Sequence, residues 1–297
     1  MSKQILIVAL LLCSAALSLA AGYVEDRAAA ANLVRKRQHE QALEAFTKLS
    51  GMEGISDFQK SDALEQAAAC ARTLRKYDLA AELAEQIPIE AVAKSVRMRN
   101  LAAQGKYKEL VEEFKDEKLE TWPEYASVHA YRARGQAYYV VGEGEAAEED
   151  LSRAASIMTG DTSESAARLW LMLALNRERN LKDNEKAWEA YRKIILMLRR
   201  RGGAAGHLSG ALQAARFLRE QGKYEEALEA VRLMRPHKRR GFWHGRALCS
   251  LGETLAEMGR KDEAVAAYRE VLEDDKVHRG DRKKAEEAID GLTAAQE

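Results

Sequence analysis

Proline is scarce: Pro88, Pro123 and Pro236 are the three among 297 residues, and only Cys13, Cys70 and Cys249 carry thiols. Each proline costs ~3 kcal/mol inside a helix, so their rarity leaves long stretches free to be helical. So few scattered cysteines exclude a disulfide framework and a cysteine-built metal site. Net charge is missing as well: 47 basic residues face 47 acidic ones, and no global charge points to nucleic acid. What is abundant is Ala, Leu, Glu, Lys and Arg, which lose little rotamer freedom in a helix. An all-α chain follows.

The first twenty residues differ from the rest. Lys3 precedes an apolar run from Ile5 to Leu19, and Ser18-Leu19-Ala20 adds small residues around a Leu. This is the order of a secretory signal peptide, residues 1–20, cut near Ala20 to Gly22. The run falls short of the ~20 residues that span a bilayer. Cys13 follows Leu10-Leu11-Leu12, which lacks the small residues of a lipidation site. The expectation is export to a bacterial periplasm or the extracellular space, with no membrane span after cleavage. Cys70 and Cys249 lie far apart in sequence and, in an elongated array, would lie far apart in space, so no bridge between them is expected.

Internal repetition organises the remainder. Gln104-Gly105-Lys106-Tyr107 recurs as Gln221-Gly222-Lys223-Tyr224, with related turns at Arg75-Lys76-Tyr77-Asp78, Gly142-Glu143-Gly144-Glu145 and Gly259-Arg260-Lys261-Asp262. After each turn a small or apolar residue precedes a second residue, usually bulky, four positions on. The pairs are Ala42 and Phe46, Ala80 and Ala84, Leu110 and Phe114, Ala147 and Leu151, Ala187 and Tyr191, Ala227 and Val231, Ala264 and Tyr268. Glycine ends the first helix by taking positive φ, the small residue lets the second helix approach, and the bulky one fills the gap. One helix pair cannot bury its own stripe, so neighbours must stack.

The spacing, the pairs and Leu251-Gly252-x-x-Leu255 followed by Ala264 and Tyr268 resemble tetratricopeptide repeats. The strongest matches are residues 128–155, 208–234 and 245–275, while the early Trp and closing Pro of that family are mostly missing. The resemblance implies a helix-pair solenoid over 23–292, with about seven repeats and a capping helix at 281–295 begun by Asp281. Capping-box spacing at Ser56-x-x-Gln59, Thr121-x-x-Glu124 and Asp161-x-x-Glu164 suggests helix starts there. Arg199 to Gly206 reads as a flexible break, and Arg235 to His244 as a basic, aromatic connector.

Chemistry-bearing motifs are thin. Gly142-x-Gly144-x-x-Ala147 lies between two helices, where a dinucleotide fingerprint does not function. No two of the six histidines have the His-Glu-x-x-His spacing of a helical metal site, so neither metal nor cofactor is expected, and no catalytic group is. The resemblance implies instead that the first helix of each unit lines a concave groove for a protein or peptide partner. Residues at i, i+4 and i+7 share a helix face. In the middle units those columns give Arg99, Arg132, Gln136, Tyr139, Asn176, Arg179, Arg216 and Arg219, and no acid. Arginine forks bind carboxylates, and Asn or Gln can bond an extended backbone. An acidic or extended peptide is the expected ligand, with no specific nucleic acid. The alternatives are a self-associating envelope component, or binding of an anionic polymer through residues 192–246, which carry fourteen basic and four acidic residues.

Overall fold

The computed structural model describes residues 22–201, 204–234 and 241–294. The expected signal peptide, Cys13 and the basic run 235–240 lie outside them. Fifteen α-helices account for the described residues, and no strand occurs among them. The chain divides into two compact units, with the boundary between Ile157 and Met158.

The first unit holds helices α1 (22–35), α2 (His39–Ser50), α3 (Asp57–Thr73), α4 (Tyr77–Glu85), α5 (Glu90–Ala103), α6 (Tyr107–Phe114), α7 (Glu124–Val141) and α8 (Gly144–Ile157), with a 3-10 turn at Leu119–Thr121. The second holds α9 (Glu164–Arg179), α10 (Asn184–Arg201), α11 (Ala205–Glu220), α12 (Tyr224–Arg232), α13 (Gly241–Glu257), α14 (Lys261–Glu273) and α15 (Arg279–Ala294). Odd-numbered helices are the first members of each pair. Within a unit they pack on their own second helix and on the next first helix, as α3 does on α5, α5 on α7, α9 on α11, α11 on α13 and α13 on α15. Each unit is therefore a helix-pair solenoid.

The small–bulky pairs are the core. All fourteen of their residues, from Ala42 and Phe46 to Ala264 and Tyr268, are buried. The opposing first helix supplies a small residue at the point of closest approach. A β-carbon on Gly135 would come within 2.9 Å of Leu151 Cγ, and one on Gly252 within 2.6 Å of the Tyr268 ring. Ala30, Ala68 and Ala215, fully buried, hold the same offset from Phe46, Ala84 and Val231.

The turn between paired helices recurs with one geometry. Gly105, Gly142, Gly222 and Gly259 have φ between 70° and 90°. Lys106 N–H donates to the Leu101 carbonyl at 3.0 Å, and Lys223 N–H to Leu218 at 2.9 Å, the six-to-one bond of a Schellman close. Arg37 and Arg75 hold the same turn at φ 61° and 59° without glycine. The left-handed region costs an L-residue roughly 1–2 kcal/mol, so these turns are imposed by the packing on either side.

The helix starts depart in part from their expected caps. Ser56 and Gln59 form the capping box in full. Thr121 instead closes the 3-10 turn, donating to the Lys118 carbonyl at 2.7 Å, and Pro123 takes the cap position of α7. Asp161 holds Ser163, and Ser163 caps α9 through Ala166 N–H at 3.2 Å. Asp281 lies inside the first turn of α15, buried against Arg246 at 2.8 Å, rather than ahead of it. The expected break at 199–206 is largely helix: α10 runs through Arg201, and α11 begins at Ala205. Arginine is a good helix former, and Arg199 is anchored to Glu229 of α12. Phe242 and Trp243 likewise belong to α13 rather than to a connector before it.

Candidate functional site

In the first unit, the helix faces that carry the expected site residues are cross-linked by charge from one repeat to the next. Arg27 of α1 grips Asp62 of α3 with two bonds, 2.5 and 2.8 Å. Arg99 of α5 reaches Glu65 of α3 at 2.7 Å, with side chains only 15% and 17% exposed. Gln136 of α7 donates to the Tyr107 hydroxyl of α6 at 3.2 Å. Arg132 and Tyr139 are half-buried on α7.

The second unit repeats the scheme more densely. Arg216 of α11 reaches Glu178 of α9 at 2.6 Å and also holds Glu220 of its own helix at 2.7 Å. Glu178 at the same time accepts from the Tyr191 hydroxyl of α10 at 2.6 Å. Burial, then that bond to Glu178, keeps the Tyr191 proton far above the usual phenol range. Arg219 turns the other way, to Glu253 at 2.8 Å on α13 and Glu257 at 2.9 Å. Lys284 of α15 shares Glu253, and Arg246 of α13 pairs with Asp281 of α15. Arg179 is exposed at the end of α9. Asn176, expected at the groove surface, is fully buried and accepts from Asn180 Nδ2 at 2.9 Å. It has no surface to offer a ligand, because its column turns inward one helical turn before Arg179.

These pairs explain the absence of acids from the arginine columns. The carboxylates stand on neighbouring first helices, so the arginines are held extended and oriented between repeats. Between α11, α13 and α15 the same face opens into a cleft of about 480 Å³. Arg216, Arg219, Arg246 and Lys284 line it, against the carboxylates of Glu253 and Asp281, with His278 and Leu212 also at the wall. Arg246 and Lys284 are its most exposed cations, at 48% and 55%. Neither was among the expected site residues, since both fall after the last column that the repeat alignment singled out. Cys249 is also in the wall, but its thiol is buried, and burial followed by the nearby Asp281 pushes it up to about 12.

Other chemistry is not assembled. Among the described residues no group of three His, Cys, Asp or Glu could hold a metal ion, and no helix is long and apolar enough to cross a membrane. Cys70 and Cys249 are both free.

Stacked helix pairs, glycine-closed turns and cation-bearing faces on the first helices define a helical-repeat scaffold. Residues 245–276 match the model of the tetratricopeptide repeat family. No curated protein sequence matches the chain. Among solved structures it is similar to the apo form of RapI, at 14% identity and a TM-score of 0.62, over 84% of this chain and 75% of that one. A Rap protein complexed with Competence and Sporulation Factor is similar at 17% identity and a TM-score of 0.51, over 89% and 77%. A signal-transduction ATPase with a tetratricopeptide repeat sensor from Pyrococcus horikoshii is similar at 15% identity and a TM-score of 0.51, over 84% of this chain but 35% of that one. At such identities the likeness is one of fold.

Proposed function

We propose that the chain is an exported protein-binding scaffold that catalyses nothing, and that its second unit receives an acidic, extended segment of a partner protein. The cleft between α11, α13 and α15 carries this reading, because four cations line it against two carboxylates. Arg216 and Arg219 are fixed by their carboxylates, which lowers the entropy lost when a ligand is gripped. Arg246 and Lys284 retain exposed surface for new charge-assisted bonds. Of the residues singled out in the sequence, Arg99, Arg132, Gln136 and Tyr139 belong to the first unit, and Arg179, Arg216 and Arg219 to the second. The Rap protein of similar fold, complexed with its factor, supports ligand binding by such an array. Export rests on Lys3 and the apolar run that follows.

The test is fluorescence anisotropy with labelled acidic and neutral peptides of equal length. Acidic peptides bind, neutral ones do not, and Arg246→Glu with Lys284→Glu abolishes binding while helicity is kept. Equal binding of both peptides would overturn the acidic-segment reading. Affinity that collapses with salt and ignores peptide sequence would favour the anionic polymer instead. Concentration-dependent self-association without a ligand would favour an envelope assembly component.

A further inference from the structure

A cavity of about 380 Å³ lies in the first unit, walled by α4, α5 and the start of α6. Its α5 wall is the stripe Ala93, Lys94, Arg97, Asn100, Leu101 and Gln104, which leaves out Arg99. Steps of three and four residues make that stripe one helix face, other than the face Arg99 shares with the arginine column. The cavity is therefore separate from the residues expected to bind a peptide.

One buried atom in its wall lacks a partner. Asn100 is 3% exposed, and its Nδ2 donates to the Tyr77 carbonyl of α4 at 2.9 Å. That bond fixes the amide, because turning it over would set oxygen against oxygen. Asn100 Oδ1 is left buried and accepts no hydrogen bond. Such an acceptor is costly to leave unmatched, so the position calls for a donor.

The charges of the wall sort the same way. Its cations are already held: Lys94 by Glu117 at 2.6 Å and Glu90 at 2.9 Å, Arg97 by Glu113 at 2.7 Å, and Lys106 by Glu109 at 3.6 Å. The α4 carboxylates that line the cavity, Asp78 and Glu85, form no ion pair among the described residues. Seven residues apart, they share one face of α4 and stand ~10 Å from each other along its axis. Asp78 adjoins Tyr77 and so lies at the Asn100 end. Glu85 closes α4, where the helix dipole adds to its negative charge. Ala81 and Ala84 stand between them, with Ala93 and Leu101 across the cavity. The open positions are thus acceptors at two ends of an apolar middle.

We infer that this cavity binds a linear aliphatic diamine, one ammonium donating to Asp78 and Asn100 Oδ1, the other to Glu85, with the methylene chain along the alanines. The inference concerns the first unit alone and does not depend on the acidic-segment reading of the second.

The experiment is calorimetric titration of the full chain with cadaverine, and with pentylamine, which has the same carbon chain and a single ammonium. Saturable one-site binding of cadaverine is expected, with pentylamine about threefold weaker. Asp78→Asn and Glu85→Gln keep the side-chain shapes at exposed positions and should each weaken cadaverine about threefold. Asn100→Leu, which removes the buried acceptor, should weaken it at least about tenfold. Should Asn100→Leu fail to fold, the two carboxylate variants carry the test. Glu286→Gln, an exposed carboxylate of α15 in the other unit, should leave binding unchanged. The proposal is overturned if cadaverine does not saturate, if pentylamine binds equally well, or if the folded Asp78 and Glu85 variants bind as the native chain does. A loss at Glu286→Gln equal to theirs would also overturn it, since the attraction would then be general to the acidic surface.

Discussion

Asp150→Ala would isolate one buried cation of the first unit. Arg134 of α7 grips Asp150 of α8 with two parallel bonds, Nε to Oδ2 at 2.7 Å and Nη2 to Oδ1 at 2.9 Å. Its third nitrogen donates to the carbonyls of Phe114 and Glu117 at 3.0 and 2.8 Å, so one guanidinium ties α7 to α8 and to the chain leaving α6. The two side chains are only 10% and 4% exposed. Each hydrogen bond to a charged group contributes roughly 1.5–3 kcal/mol, and an abandoned buried charge costs about 3–5 kcal/mol in all. Because Arg134 keeps two carbonyls, a loss of about 3–4 kcal/mol is expected. Glu263→Ala breaks an exposed pair with Arg260, 36% and 58% exposed, and should leave the unfolding midpoint nearly unchanged. The double variant Arg134→Met, Asp150→Leu removes both charges and should recover most of the loss. Urea unfolding followed by circular dichroism measures all three, read as midpoint shifts at constant slope. A loss below ~1 kcal/mol for Asp150→Ala, or a double variant worse than the single, would refute the assignment of Arg134–Asp150 as a matched buried pair.

Gly252→Ala places a methyl against the Tyr268 ring at 2.6 Å and should cost ~1–3 kcal/mol in thermal unfolding, whereas Gly291→Ala, with open space around it, should not. Arg75→Gly relieves a positive φ at the close of α3 and should raise the melting temperature, by an amount worth about 1 kcal/mol. His129 is depressed to about 3 in the folded chain, below its unfolded value, so its neutral form stabilises the fold above pH ~6.5. That contribution fades as pH falls from ~6.5 towards 3, by ~2 kcal/mol after discounting for partial exposure, and His129→Gln should flatten the decline measured by unfolding at stepped pH. The Cys249 thiol, pushed up to about 12, should resist iodoacetamide in the native protein at pH 8 and react once unfolded.

The architecture was legible because its signals are local and repeated. The small–bulky pairs and the glycine turns are each set within a few residues, and the same packing problem solved seven times leaves the same marks. Helix boundaries were less so: Thr121 and Asp161 have cap chemistry, but Pro123 and Ser163 stand nearer the helix and win the position. The face of the first helices was legible as a column of arginines, and its electrostatics were not. Glu65 and Glu253 lie outside the middle-unit columns, and only a three-dimensional offset of one repeat shows that they neutralise Arg99 and Arg219. Asn176 went astray for a related reason: a helix of 3.6 residues per turn drifts against an i, i+4, i+7 column, and the middle position rolled into the core.

The ion pairs between consecutive first helices make the repeats non-interchangeable parts. Arg216 needs the carboxylate of the preceding repeat, and Arg219 that of the following one. Were the segment from α11 to α12 duplicated in tandem, the second Arg216 would face Leu218 of the first copy, which occupies in α11 the place that Glu178 holds in α9. The apolar stacking would tolerate such an insertion, because small and bulky residues recur in every pair. The charges would not. Hydrophobic periodicity alone allows the array to grow or shrink by whole repeats, while the charge pairing gives each junction within a unit its own lock and so resists slippage, domain exchange and recombination between otherwise similar modules.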